Sequence, residues 1–351
     1  MTTITTHKTK ILTDSDADLR LAADLLKDGK LVAFPTETVY GLGGNALLSD
    51  AARRIYEAKG RPQDNPLIIH LADPAEADHY CVTNALFHLL AKAFMPGPIT
   101  VILPKRDCIP YTVTGGLDTV AVRIPSHPIA NRMLRFAGIP VAAPSANLSG
   151  KPSPTTAQHV MHDLLGRIDA IVDGGACEIG VESTIVKIDD GTVTLLRPGA
   201  ITYEMLCALC GDVKVDPSIL QKTEGRPLAP GMRYRHYAPH MPVTMLDGTD
   251  QAFYHFLQTK PLAGVICYDE DLPHLKNHVT YSLGAREDSA SHARNLFECL
   301  REMDARSDLS EVYARVPAKD HLGLAVWNRL SKAAGFHVLQ LNQEENNGEK
   351  A

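Results

Sequence analysis

Two short stretches carry most of the side chains that could do chemistry. Lys59 and Arg61 stand two apart in Lys59-Gly60-Arg61-Pro62, and Ser145, Asn147 and Ser149 alternate in Ala143-Pro144-Ser145-Ala146-Asn147-Leu148-Ser149-Gly150. Arginine offers a planar fork for phosphate oxygens and lysine a mobile point charge. Residues two apart do not share a helix face, but from an extended turn both can reach one ligand. Alone, such a pair more often solvates a surface. Pro62 and Asp64-Asn65-Pro66 stiffen the loop and favour a ligand site slightly. Ser145 and Asn147 leave the apolar run Val141-Ala142-Ala143, and a strand end running into small polar residues is where α/β proteins place ligands. A helix cap would use the same residues. A third stretch, Thr36-Glu37-Thr38, sets an acid between hydroxyls, and Glu182-Ser183-Thr184 repeats that theme. Gly41, Gly43 and Gly44 suggest close backbone approach and unusual torsions. No GxxxxGKS or GxxxxGKT occurs, so if ATP binds it does so by another geometry. His70, after Leu67-Ile68-Ile69, reads from the residues alone as a core histidine.

The periodicity predicts the elements that must hold these groups. Helices are expected over residues 16–27, 50–59, 84–94, 128–136 and 156–165. Strands are expected over 31–34, 67–71, 100–103, 120–124, 141–143, 170–172, 184–188 and 193–196, the last two joined as a hairpin through Asp189-Asp190-Gly191. A hairpin demands antiparallel pairing, so the fold class is α/β with a twisted, mixed parallel/antiparallel sheet and flanking helices. This unit is expected to span residues 10–215. Residues 216–241 form a linker that begins as Pro/Gly-rich chain and becomes Arg233-Tyr234-Arg235-His236-Tyr237-Ala238-Pro239. Passive linkers are small and polar, so an ordered strap over the active site is expected here; packing on a domain surface is the plainer alternative. Residues 242–338 read as a smaller α/β, Rossmann-like domain, and 339–351 as a polar tail. That domain lacks GxGxxG, so no dinucleotide site is inferred.

Composition narrows the class. At 351 residues about two domains are expected. The net charge of -6 argues weakly against nucleic acid as main ligand, since phosphate backbones select a basic excess. The N-terminal residues have no apolar core, so no secretory leader is expected, and no apolar run is long enough to span a bilayer. Seven scattered cysteines suit reduced thiols and a cytoplasmic protein. The CxxC spacing of Cys207 and Cys210 has no second pair or histidine cluster, so neither zinc nor redox chemistry is assigned to it.

In combination and order the motifs say more than singly. Lys59-x-Arg61 with Ser145-x-Asn147, Pro35 through Leu42, and Glu182-Ser183-Thr184-Ile185-Val186 followed by Leu195-Leu196-Arg197-Pro198-Gly199 resemble the YrdC-like domain of threonylcarbamoyl-AMP synthases. The segment Ala229-Pro230-Gly231-Met232 with Arg235-His236-Tyr237-Ala238-Pro239, and the extra C-terminal domain, resemble the long members. The resemblance covers about residues 10–335. It implies that L-threonine, bicarbonate or CO2, and ATP with Mg2+ are joined into threonylcarbamoyl-AMP and pyrophosphate. A downstream threonylcarbamoyl transferase complex would then modify tRNA, with at most a weak tRNA contact by this chain. It implies Lys59 and Arg61 as catalytic residues. It implies ATP contacts at Arg61, Asn65, Thr119, Ser145, Asn147, Ser153, Arg197 and Tyr237. It implies a threonine pocket of Thr38, His70, Arg123, Ala143 through its backbone, and Ser183. Three rivals are weighed. A double-stranded RNA-binding module would want more basic charge. A hydrogenase-maturation carbamoyltransferase would want zinc-finger cysteine pairs and an acylphosphatase-like segment, and neither is visible. A regulatory protein that kept only the fold would not need an intact KxR and SxN.

Overall fold

Capping residues set the helix that leads into the first motif's neighbourhood. Ser15 accepts the Asp18 amide, Asp16 and Asp18 sit at the positive end of the helix and Lys27 at its negative end, while Leu19, Ala22, Ala23 and Leu26 are buried. The computed structural model describes residues 8–221, 228 and 237–341. The chain divides into two units, residues 1–234 and 235–351. Most of the predicted strap (222–227 and 229–236) and the tail from 342 onward lie outside the described residues.

The first unit has strands β1 (Lys10–Leu12), β2 (Val32–Phe34), β3 (Gly41–Asn45), β4 (Ile68–His70), β5 (Ile99–Pro104), β6 (Thr119–Arg123), β7 (Val141–Ala142), β8 (Ala170–Val172), β9 (Thr184–Asp189), β10 (Thr192–Arg197) and β11 (Val213–Val215). Its helices are α1 (Asp16–Lys27), α2 (Ser49–Lys59), α3 (Ala85–Phe94), α4 (Tyr111–Thr114), α5 (Pro128–Ala137), α6 (Ala157–Leu164) and α7 (Tyr203–Cys210). The strands form one sheet in the order β1-β8-β2-β3-β7-β4-β6-β5-β9-β10-β11. Parallel pairs such as β4 with β6 are mixed with antiparallel ones such as β5 with β6. The mixed sheet is therefore as expected, and the β9–β10 hairpin pairs antiparallel with an irregularity between Leu195 and Arg197.

One reading is corrected. Gly41, Gly43 and Gly44 do not adopt unusual torsions; they are strand β3, which pairs with β2 and β7 and is buried throughout. A Cβ on Gly43 would come within 2.9 Å of both Phe34 and Val141 side chains. Glycine is needed there because apolar neighbours fill the space. Close approach is real, but to the core rather than to a ligand.

The second unit has β12 (Val243–Asp247), α8 (Asp250–Gln258), β13 (Ala263–Cys267), β14 (Val279–Ser282), α9 (Ser289–Asp304), β15 (Glu311–Arg315), α10 (Gly323–Ala333) and β16 (Val338–Gln340). All its strand pairs are parallel, in the order β14-β13-β15-β12-β16. Its core includes Leu246, Phe253, Leu257, Val265 and Tyr313. This is the smaller α/β fold expected for the C-terminal part of the chain; the second unit itself begins at residue 235.

Candidate active site

Helix α2 ends where the first motif begins. Gly60 closes it with φ of +62°, the left-handed cap that glycine adopts without strain. That leaves Lys59 as the last helical residue, with its side chain turned inward and 2% of the residue exposed. Its ammonium donates to the backbone oxygens of both Ser145 and Asn147. The Ser149 amide returns a bond of 2.8 Å to the Lys59 carbonyl. Ser145 Oγ donates to Asn147 Oδ1 at 2.6 Å, and Asn147 Nδ2 donates to the oxygens of Leu148 and Lys151 at 2.8 and 2.9 Å. The two motifs thus form one knot with a buried positive charge at its centre.

Arg61 braces its own loop. Its Nε donates to Asn65 O at 3.3 Å and its Nη2 to Pro66 O at 3.1 Å. Tyr56 Oη donates to Asn65 O and Thr112 O, and burial pushes its hydroxyl up to about 12, so it stays a donor. Asn65 Oδ1 is buried with no hydrogen-bond partner among the described residues. Ser153 Oγ donates to Glu182 Oε1, both residues being buried.

Two further clusters contain Thr38, Arg123 and Ser183 of the expected threonine pocket. In the first, Arg123 Nη2 donates to Glu37 Oε1 at 2.7 Å, with each side chain 5% exposed. Thr36 Oγ1 lies 2.9 Å from Thr38 Oγ1 and donates to Val39 O at 2.6 Å, which ties the turn together. Arg123 Nε and Glu37 Oε2 are both buried and find no hydrogen-bond partner among the described residues. An ion pair with an unused donor and an unused acceptor is suited to a zwitterion, because each end of such a ligand meets its complement. In the second cluster, Arg197 donates from Nε to Ser183 O at 3.0 Å and from Nη2 to Ser183 Oγ at 3.1 Å. Ser183 Oγ is also 2.7 Å from Thr100 Oγ1. Arg197 and Ser183, assigned by resemblance to ATP and threonine respectively, are therefore joined directly.

The remaining assignments are distributed as follows. His70 is buried at the end of β4, its Nδ1 3.2 Å from Ile68 O, its ring edge-on to Phe34. Burial, and then the Arg123 charge, hold its pKa down to about 3, so the ring is neutral at physiological pH. Ala143 is buried, but its amide already donates to Ile68 O at 2.8 Å, which leaves its carbonyl to offer. Thr119 opens β6 and Arg123 closes it. Four residue steps of strand set them about 13 Å apart, so Thr119 stands apart from the Arg123 cluster. Tyr237 lies in the second unit, buried, with its ring 5.1 Å from that of Phe297. Leu228, the one described residue between 222 and 236, packs on the apolar cluster of Ile68, Ile102, Ala121, Ile185 and Leu196.

The site assignments left out Thr36, Glu37, Thr100 and Glu182, although Thr36-Glu37-Thr38 and Glu182-Ser183-Thr184 stood out in the sequence as acid–hydroxyl stretches. The available signal was charge parity: a cation expected to be buried at Arg123 needs an anion, and Glu37 is the acid beside Thr38. Cys177 lies near the Glu37–Arg123 pair, but burial pushes its thiol up to about 12, which leaves no thiolate for nucleophilic attack.

His70 supports a prediction. Its folded-state pKa lies below the unfolded value, so the unfolded chain takes up the proton first as pH falls. Its contribution to stability is complete above about pH 6.5 and declines toward the folded value of about 3. Between pH 7 and 5 the loss is about 2 kcal/mol. Urea unfolding of wild type and His70→Asn at both pH values should show a steeper decline for wild type; equal declines would mean the imidazole is not held neutral.

Two family models match the chain: one described as "Telomere recombination" over residues 24–199, and one described as "Threonylcarbamoyl-AMP synthase, C-terminal domain" over residues 201–335. A threonylcarbamoyl-AMP synthase of Pyrococcus abyssi is 43% identical over 92% of this chain and 96% of its own length. One of Bacillus subtilis is 44% identical over 94% of this chain and 96% of its own. A crystal structure of the P. abyssi Sua5 protein complexed with L-threonine superposes with a TM-score of 0.87 at 42% identity, covering 95% of this chain and 100% of that one.

Proposed function

The chain belongs to the threonylcarbamoyl-AMP synthase family, and from that membership we propose that it converts L-threonine, bicarbonate or CO2, and ATP into threonylcarbamoyl-AMP and pyrophosphate. It is an ATP-using enzyme that makes an adenylate. The observation that carries the substrate reading is the buried Arg123–Glu37 pair with its unpartnered Nε and Oε2. Arg123 would take the threonine carboxylate and Glu37 a donor of the same molecule, with Thr38, His70, Ala143 and Ser183 shaping the pocket.

The chemistry needs positioning and charge control. The threonine amine, once neutral, attacks the carbon of CO2 and loses a proton, or attacks bicarbonate with loss of water as a C–O bond breaks; either way it gives an N-carboxylate. One of its oxygens then attacks the α-phosphorus of ATP, and the bond to pyrophosphate breaks. Carboxylate and phosphate repel each other, so fixed cations must neutralise the charge that gathers between them. Lys59 and Arg61 fill that role in this reading, with Asn65, Thr119, Ser145, Asn147, Ser153, Arg197 and Tyr237 as nucleotide contacts. No covalent enzyme intermediate is needed, and the high pKa of Cys177 agrees with that.

Mg2+ fits this reading as an ion that arrives on the nucleotide. Among the described residues there is no group of three or more His, Cys, Asp or Glu that could cage a metal. Magnesium commonly needs only one or two carboxylates beside substrate phosphates. Glu182, buried against Ser153, would be the chain's own carboxylate there. Bound on ATP, the ion would withdraw charge from the phosphates.

Residues 216–241 are proposed as a strap that shields the labile mixed anhydride from water. Leu228 on its apolar cluster is the supporting contact. The product would pass to a threonylcarbamoyl transferase complex acting on tRNA, with only weak tRNA contact by this chain. No helix among the described residues is long and apolar enough to cross a membrane. All seven cysteines are free, which supports the proposed cytoplasmic setting.

The test is pyrophosphate release by the purified chain with ATP, Mg2+ and bicarbonate, with and without L-threonine. Release that requires threonine and bicarbonate together is expected. ATP turnover indifferent to threonine would overturn the substrate assignment.

A further inference from the structure

The second unit contains a cavity of about 670 Å³ at the carboxyl ends of its parallel strands. Gly248, Thr249 and Asp250 reach it directly after β12, Tyr268 after β13, and Arg315 at the end of β15. β13 and β15 are neighbours, yet the chain leaves β13 toward β14 and leaves β15 toward β16, in opposite directions across the sheet. Adjacent strands whose connections diverge in this way open a crevice, and open α/β sheets bind ligands in that crevice. Nothing in the reaction derived above uses it.

The lining has a definite chemistry. Arg315 is buried and donates to Asp271 Oδ2 from Nε at 2.8 Å and to Asp271 Oδ1 from Nη2 at 2.7 Å. Its Nη2 also lies 2.8 Å from Asp250 Oδ1. No partner for its Nη1 is found among the described residues. Arg286 donates from Nη2 to the same Asp250 oxygen at 3.0 Å, and its guanidinium sits 5.7 Å from the Tyr268 ring centroid. Tyr268 in turn stacks on His292, with centroids 4.7 Å apart. Two oriented guanidinium groups therefore stand beside an aromatic shelf. The first turns of α8 and α10 border the same space through Asp250 and Gly323 and add partial positive charge.

We propose that this cavity is a second small-molecule site, built for a nucleoside monophosphate. A phosphate would meet the unpartnered edges of Arg315 and Arg286. A planar base would lie on the Tyr268–His292 shelf. Asp250, Glu287 and Asp320 also line the cavity; they suit sugar hydroxyls and oppose additional phosphates. Charge balance therefore selects one phosphate over three, and the absence of a glycine-rich loop from this domain's sequence agrees with a single phosphate.

Calorimetric titration of the full chain with AMP tests the site, performed in an Arg61→Ala background to weaken the nucleotide site proposed in the first unit. Saturable AMP binding should persist there, at least about tenfold tighter than adenosine or ATP. It should weaken by about tenfold or more when Arg286→Gln is added, as for loss of a charge-assisted hydrogen bond. Tyr268→Leu should weaken it as well, with circular dichroism unchanged. The single tryptophan, Trp327, lies in α10 one turn beyond Gly323, so its fluorescence reports where binding occurs. No saturable AMP binding in the Arg61→Ala chain would overturn the proposal. So would binding that Arg286→Gln and Tyr268→Leu leave untouched, or equal affinity for adenosine.

Discussion

Lys59→Ala is expected to lower threonine-dependent pyrophosphate release by about 100-fold, the scale for removal of a group that stabilises developing charge. The structure adds a second consequence. The ammonium is buried and satisfies the carbonyls of Ser145 and Asn147. Alanine leaves both without that donor, and each unsatisfied buried acceptor costs about 1–3 kcal/mol. A fall in thermal stability should therefore accompany the loss of turnover. Lys59→Arg separates the two effects, since it keeps charge and donors but replaces a point charge by a wider planar fork. It should recover more stability than activity. Near-normal turnover in Lys59→Ala would remove the residue from the mechanism, and unchanged stability would mean that its bonds to the Ser145 loop are dispensable.

Arg123→Ala should be the most destabilising substitution at the site. It strands Glu37, whose side chain is 5% exposed, as an uncompensated buried charge. Breaking a buried pair from one side costs about 3–5 kcal/mol. Removing both partners in Arg123→Ala with Glu37→Ala relieves the stranded charge, so the double variant should regain much of the lost stability. It should not regain affinity for threonine, because the carboxylate would still lack its cation. Denaturant unfolding and the KM for threonine, measured on both single variants and the double, decide the matter. A double variant as unstable as Arg123→Ala would mean that the pair is held by something other than mutual charge. A threonine KM near wild type in Arg123→Ala would place the carboxylate elsewhere.

Much of this molecule was legible before any coordinates. Amphipathic spacing located α1 and α2, and the hairpin of β9 and β10 was marked by its Asp189-Asp190-Gly191 turn. From the hairpin came the mixed sheet, and from the order of the motifs came the family. The glycine strand was misread because glycine permits many conformations, and only its neighbours decide which one is used. Phe34 and Val141 press on Gly43 from sequence-distant elements, and no local pattern announces that. The cavity of the second unit was invisible for a similar reason. Arg315 and Asp271 are 44 residues apart and meet because β13 and β15 are neighbours in the sheet.

The sequence by itself determined which groups were available: the cations of Lys59-x-Arg61, the small polar residues after Ala143, the helix-ending Gly60, and the membership they imply. These are local features, set by side-chain chemistry and short-range backbone preference. Only the tertiary structure decided what each group meets. Lys59 finds Ser145 and Asn147 across 86 and 88 residues, and Arg123 finds Glu37 across 86. Such pairings depend on strand order and register, which arise from burying the whole sheet at once. That is why a lysine expected to meet phosphate is found fastening a loop, and why an arginine expected to await a substrate is found sharing its charge with a buried glutamate.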